Sequence, residues 1–119
     1  SYMPNKLPNW VAEEISNSKW KPAGTFKGSG YFLEINSKEK NADIQLYETL
    51  PEGRHIITAD IPETVKTDGF EKGDVYLFNL QIYKSEISDK VKHFLEEQYK
   101  MNMKIIHKYE LISLEEFSE

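Results

Sequence analysis

The sequence FEKGDVYLFNLQIY, residues 70–83, is the longest apolar and aromatic stretch of the chain and decides its predicted fold. Gly73-Asp74 favours a turn, because glycine adopts positive φ angles at little steric cost. From Val75 onward, successive side chains point to opposite faces of a strand. One of these faces is wholly apolar and consists of Tyr76, Phe78, Leu80 and Ile82. We therefore expect the central strand of a small barrel, with this face in the core.

Length and composition restrict the class of protein. The chain has 119 residues, of which 39% are hydrophobic and 13% aromatic, and this fits one folded domain. Twenty acidic residues against 15 lysines and arginines give a net charge of -5. That excess argues against nucleic-acid binding over the whole surface, although it leaves room for a local basic patch. The absence of cysteine excludes disulfides, thiolate metal sites and a cysteine nucleophile.

The sequence gives no sign of a membrane segment. Its apolar runs are far shorter than the roughly 20 residues that span a bilayer, and its first residues lack the basic-then-apolar order of a signal peptide. We expect a cytoplasmic protein. Two prolines in residues 1–8 predict a flexible arm, followed by a single domain at 9–119.

Three strands are predicted before the organising stretch, at 25–35, 43–50 and 55–61. Gly-Ser-Gly at 28–30 interrupts the first strand, and such glycines usually mark a bulge or a sharp bend. A phosphate-binding loop is the weaker alternative, because no Gly-Lys-Ser/Thr follows. Leu-Pro-Glu-Gly-Arg at 50–54 is typical of a tight hairpin connection.

Two helices and a last strand complete the prediction. Asn9 is expected to cap a short N-terminal helix. Apolar residues at three- and four-residue spacing predict a second helix over 85–100, capped by Ser85 or Ser88. A strand follows at 103–111. Short strands without βαβ spacing indicate a mainly β fold, a five-stranded antiparallel OB-like barrel with an N-terminal helix and a helix between the last two strands. Another small β-barrel or an α+β sandwich is the alternative.

Three short motifs stand in the second half of the chain. Residues 55–61 are rich in β-branched side chains, Gly73 and Tyr76 have a Gly-x-x-Tyr spacing, and residues 109–111 read Tyr-Glu-Leu. Together they resemble the second half of the OB domains of the replication protein A class, over roughly half of the chain. The resemblance implies an OB barrel that binds single-stranded DNA. The helix at 85–100 would be a long insertion, and the acidic charge also departs from that pattern.

Barrels of this type bind single strands by stacking bases on exposed aromatic rings beside a basic track. The candidate stacking rings are Tyr31, Tyr47 and Tyr83. The candidate phosphate contacts are the basic residues Lys27, Arg54, Lys84, Lys104 and Lys108. The alternative is that the tyrosines belong to the core with their hydroxyls at the rim, and that the lysines are solvated surface.

The sequence contains no motif for catalysis, for a metal or for a cofactor. His55, His93 and His107 lack metal-ligand spacing, and there is no nucleophile elbow, P-loop or dinucleotide fingerprint. We therefore expect neither an enzyme nor a cofactor. Two hypotheses remain. The first is a module that binds single-stranded DNA or RNA, and the second is a protein-interaction module or subunit of a larger complex that docks through the 85–100 helix or the Trp10 region. The oligomeric state is left open.

Overall fold

The structure, a computed structural model, describes residues 6–117. The elements are α1 (Asn9–Ser16), β1 (Lys21–Asn36), β2 (Asn41–Leu46), β3 (Ile56–Asp60), β4 (Val75–Glu86), α2 (Asp89–Tyr99) and β5 (Ile105–Glu116). Contacts divide these residues into two compact units. We name residues 6–21 with 83–107 the helical unit, and residues 22–82 with 108–117 the barrel unit.

The strands form a closed barrel in the order β1-β2-β3-β5-β4. The predicted five-stranded barrel with two helices is therefore confirmed, and its architecture is consistent with an OB-like barrel. The sheet is mixed, however, and not wholly antiparallel as expected. β1 with β2 and β2 with β3 pair antiparallel, but β3 and β5 pair parallel, with Ala59 opposite Tyr109. The chain between β3 and β5 passes through β4 and α2, and a long connection of this kind lets a strand run parallel to a neighbour.

The core of the barrel unit follows the alternation of β4. Its inward residues Tyr76, Phe78, Leu80 and Ile82 are all buried, as predicted. The ring of Phe32 on β1 packs against three aromatic neighbours, Phe70, Tyr76 and Phe78, at centroid distances of 5.2, 5.6 and 5.1 Å. Each such buried side chain contributes roughly 1.5–3 kcal/mol of hydrophobic stabilisation.

β1 differs from its predicted course. It runs without a break from Lys21 to Asn36, so residues 28–30 do not interrupt it. The ladder with β2 shifts register between Phe32 and Glu34 instead. Gly30 lies directly against the backbone of Gln45, and this close approach explains the glycine. Its role is to let two strands come together, and the bend expected at 28–30 stays a prediction.

The helical unit has its own apolar core. Val11, Ile87, Val91, Leu95, Met103 and Ile106 are buried together. Trp10 and Trp20 are partly buried against this cluster, and Trp10 meets Phe94 edge-on at 5.2 Å. The two tryptophans of the chain therefore anchor the helical unit.

The helix caps correct one prediction and resolve another. Pro8 occupies the N-cap of α1 without a side-chain hydrogen bond, so the expected cap at Asn9 is wrong. Of the two serines proposed for α2, Ser88 is the cap, and its Oγ accepts the Val91 N–H at 3.2 Å. Ser85 still belongs to β4, which makes the helix shorter than the predicted 85–100.

The predicted arm at 1–8 lies largely outside the described residues. Within its described part, Leu7 packs against the helical cluster and the Lys6 carbonyl accepts the Tyr99 hydroxyl at 3.2 Å. That residues 9–119 form a single domain stays a prediction. Within 6–117, none of the helices has the length and apolar character needed to cross a membrane.

Candidate functional site

An exposed row of side chains crosses the outer surface of the barrel unit. Strand pairing sets Tyr31 of β1 opposite Gln45 of β2, and Gln45 opposite Ile56 of β3. Their neighbours along each strand, such as Phe32, Ile44 and Ile57, are buried in the core. Because side chains alternate along a strand, the row must face outward. Tyr47 follows β2 at the same surface, and we name Tyr31, Gln45, Tyr47 and Ile56 the tyrosine face.

The two tyrosines of this face lie side by side. Their ring centroids are 5.9 Å apart and the ring planes are inclined by 50°. The Tyr31 hydroxyl donates to Oε1 of Gln45 at 2.9 Å, which fixes that ring. Tyr47 is 59% exposed and Ile56 is 47% exposed. The face thus offers an anchored ring, a freely accessible ring and an aliphatic side chain to a flat apolar ligand such as a base.

Arg54 lies two residues before Ile56 and carries a positive charge beside that residue of the tyrosine face. Its Nη2 donates to the Ile56 carbonyl at 3.4 Å, which keeps the guanidinium beside β3. Among the described residues, no carboxylate forms an ion pair with it. An arginine held in this way can contact a phosphate through its fork of N–H donors.

Carboxylates border the tyrosine face. In the next row of the sheet, Glu34 lies opposite Asp43, whose carboxylate accepts the Thr58 hydroxyl at 2.7 Å. Tyr47 also lines a groove of ≈ 660 Å³, here named the acidic groove, which contains Glu71, Asp74 and Glu116. These charges repel phosphates and other anions at the border of the tyrosine face.

The remaining predicted residues of the barrel unit do not join the tyrosine face. Lys27 lies four residues from Tyr31 on β1, about 13 Å at the usual strand rise, and forms an ion pair with Glu115 at 3.8 Å. Lys108 interacts with Asp60. Partial burial raises the pKa of the Asp60 carboxyl, and the charge of Lys108 opposes that shift.

The other three predicted residues belong to the helical unit. Lys104 forms an ion pair with Glu86 at 2.9 Å, and the hydrogen bond and charge of Glu86 raise the pKa of the lysine. Lys84 lines a pocket together with Lys19 and Lys21. Tyr83 is half-buried on β4. Of the eight predicted residues, the structure therefore brings Tyr31 and Tyr47 into contact and holds Arg54 beside the same strands.

Sequence reasoning missed Gln45, Ile56, Lys19 and Lys21. The first two were passed over because an amide and an isoleucine carry no distinctive motif. A signal for the other two was present, since Lys19-Trp20-Lys21 alternates basic and aromatic residues. Within residues 6–117, no three His, Cys, Asp or Glu side chains are close enough to hold a metal ion.

Comparisons with protein-family models, curated proteins and solved structures found no match for this chain.

Proposed function

We propose that the barrel unit binds single-stranded nucleic acid on the tyrosine face and catalyses no reaction. The observation that carries this proposal is the accessible ring of Tyr47 beside the anchored ring of Tyr31, 5.9 Å away. Every nucleobase has a π-face, and a base stacked on such a ring gains roughly 1–3 kcal/mol. The resemblance to OB domains of the replication protein A class supports the same choice.

The charge distribution defines what kind of binding this would be. Arg54 provides one phosphate contact, whereas Glu71, Asp74 and Glu116 line the adjoining acidic groove. We therefore expect a site for about one or two bases with a shallow salt dependence, since each neutralised phosphate adds a slope of roughly 0.7 for single strands. Discrimination between DNA and RNA would come from the ligand's sugar, because stacking itself accepts any base.

The test is fluorescence anisotropy of labelled single-stranded and double-stranded DNA and RNA oligomers at two salt concentrations. Single strands should bind, and Tyr47→Ala should weaken binding about 5- to 150-fold, which corresponds to the loss of one stacked base. Tyr47→Phe keeps the ring and should retain most of the affinity. Ile112→Ala removes an exposed side chain of β5, outside the tyrosine face, and serves as the matched control.

A second function is favoured by the acidic groove. Its three carboxylates and the 49% exposed Phe117 suit a basic protein segment with an apolar anchor. The double substitution Glu71→Gln and Asp74→Asn separates the two functions. It should weaken the binding of a lysine-rich peptide and strengthen the binding of an oligonucleotide. Failure of every single strand to bind at low salt would overturn the nucleic-acid proposal.

A further inference from the structure

The helical unit contains a pocket of ≈ 400 Å³ that the proposed function does not use. It is lined by Lys19, Lys21, Lys84, Ser85, Glu86 and Ile105. These residues come from the α1–β1 connection with the start of β1, from the end of β4 and from the start of β5. We name it the lysine pocket.

The backbone that carries the lysine pocket is tied together by hydrogen bonds. Ser85 is buried, and its hydroxyl donates to the Lys19 carbonyl at 3.1 Å. The Ile87 N–H donates to the Lys104 carbonyl at 2.9 Å. The three segments are thus held in place before any ligand arrives, which lowers the ordering cost of binding.

The charges in the lysine pocket are unbalanced. None of its three ammonium groups has an ion-pair partner in the described part of the chain. Five other lysines do have carboxylate partners, namely Lys27, Lys40, Lys72, Lys92 and Lys104. Glu86 is the single carboxylate lining the pocket within 6–117, and Lys104 already neutralises it at 2.9 Å. In a chain of net charge -5, this is a local positive field that favours an anion.

We propose that the lysine pocket binds a phosphomonoester. A terminal phosphate carries close to two negative charges at neutral pH and has three acceptor oxygens, so it suits a pocket lined by three lysines better than a singly charged phosphodiester does. The pocket is larger than an inorganic phosphate, and Ile105, 42% exposed, gives it an apolar wall for the attached organic group. The group could belong to a free nucleotide or to the 5′ end of an oligonucleotide. The inference does not depend on ligand binding at the tyrosine face.

The test uses the whole chain and NMR titrations with AMP, adenosine and inorganic phosphate, followed through the amide signals of Lys84, Ser85 and Ile105. AMP and inorganic phosphate should both shift these signals, and AMP should do so at a lower concentration than phosphate. Adenosine should leave the signals unchanged. Lys84→Gln should weaken AMP binding about tenfold or more, because it removes a charged hydrogen-bond donor. Lys84→Arg keeps the charge and should retain binding, which separates loss of the site from misfolding.

Two further arms complete the design. Lys38→Gln changes an exposed lysine in the turn after β1 and should leave AMP binding unchanged. Thymidine oligomers with and without a 5′-phosphate identify the source: preference for the phosphorylated form assigns the strand end, and equal binding assigns the free nucleotide. The proposal is overturned if AMP does not shift the signals, or if adenosine binds with the same affinity as AMP. It is also overturned if Lys38→Gln weakens AMP binding as much as Lys84→Gln does.

Discussion

A Cβ atom on Gly30 of β1 would lie 2.2 Å from the carbonyl oxygen of Gln45 on β2. This oxygen belongs to the backbone of a paired strand, so it cannot move aside as the end of a side chain can. The closeness of the two strands therefore depends on the missing side chain at position 30. The close approach of the two strands also positions Gln45, whose amide oxygen accepts a hydrogen bond from the Tyr31 hydroxyl and anchors that ring.

Gly30→Ala should lower the free energy of unfolding by about 1–3 kcal/mol, the usual cost of overpacking. Gly28→Ala is the matched control on the same strand. Its Cβ would meet the ring of Phe26 at 2.6 Å, and that ring is a side chain that can turn away. Urea denaturation measures both variants, and an equal loss in the two would contradict the special role of Gly30.

Substitutions in the two cores test whether 9–119 unfolds as a single domain. Leu95→Ala in the helical unit and Ile44→Ala in the barrel unit each empty a fully buried site and should cost about 2–5 kcal/mol. Tryptophan fluorescence reports on the helical unit, because Trp10 and Trp20 both pack there. Far-UV circular dichroism follows the strands as well.

For a single cooperative domain, each of these substitutions should shift the fluorescence and dichroism transitions together. If Leu95→Ala moved the fluorescence transition and left the strand signal at its original midpoint, the single-domain prediction would be wrong.

Ser88→Ala should destabilise the protein by about 1 kcal/mol, because it removes the acceptor for the Val91 N–H at the start of α2. Ser88→Thr keeps a hydroxyl at the cap and should recover most of the loss. Thermal unfolding of the three proteins at one pH provides the comparison. A threonine variant as unstable as the alanine variant would show that the hydroxyl does not cap the helix.

Asp60→Asn should stabilise the protein at neutral pH. Partial burial raises the pKa of the Asp60 carboxyl in the folded state, so ionisation costs more there than in the unfolded chain. At a pH below the pKa that the Asp60 carboxyl has in the unfolded chain, this carboxyl is neutral in both states. The stability advantage of asparagine should then vanish. The advantage should grow as the pH rises and level off above the folded pKa.

Lys108→Met supplies the control for Asp60. The positive charge of Lys108 lowers the pKa of the Asp60 carboxyl, so removal of that charge should raise the Asp60 pKa further. Carboxyl chemical shifts in an NMR titration measure the change directly. An Asp60 pKa that falls in the Lys108→Met variant would contradict the assigned interaction.

Local patterns predicted the parts of the fold that depend on near neighbours. The inward face of β4, from Tyr76 to Ile82, followed from alternation alone. The turn at 50–54 followed from its residues, and the Leu50 N–H donates to the Arg54 carbonyl at 2.7 Å, although the strands that this connection joins end at Leu46 and begin at Ile56. Such features require no knowledge of distant contacts.

Features set by distant partners were not predictable in this way. Ser85 could equally cap a helix or extend a strand, and its bond to the Lys19 carbonyl, 66 residues away, decides for the strand. Strict alternation along β5 would put His107 on the same face as Tyr109. It puts Ile106 on the opposite face, and the structure buries Ile106 in the helical cluster and Tyr109 in the barrel core, an assignment to two cores that alternation alone does not predict.

The candidate sites show the same limit. Tyr31 and Tyr47 could be named from residue type, but their contact follows from the pairing of β1 with β2. Lys84 could be named as a cation, whereas its meeting with Lys19 and Lys21 depends on which segments lie together. Residue type indicates what chemistry a chain can offer, and the fold decides where that chemistry is concentrated.

The place of β5 in the barrel has a consequence for synthesis on the ribosome. β5 follows β3 and β4 in the chain but lies between them in the sheet. Until residues 105–116 have emerged, both earlier strands carry an unpaired edge with free N–H and C=O groups. A nascent chain stalled before that point therefore exposes two templates for edge-to-edge aggregation, and the arrival of β5 removes both at once.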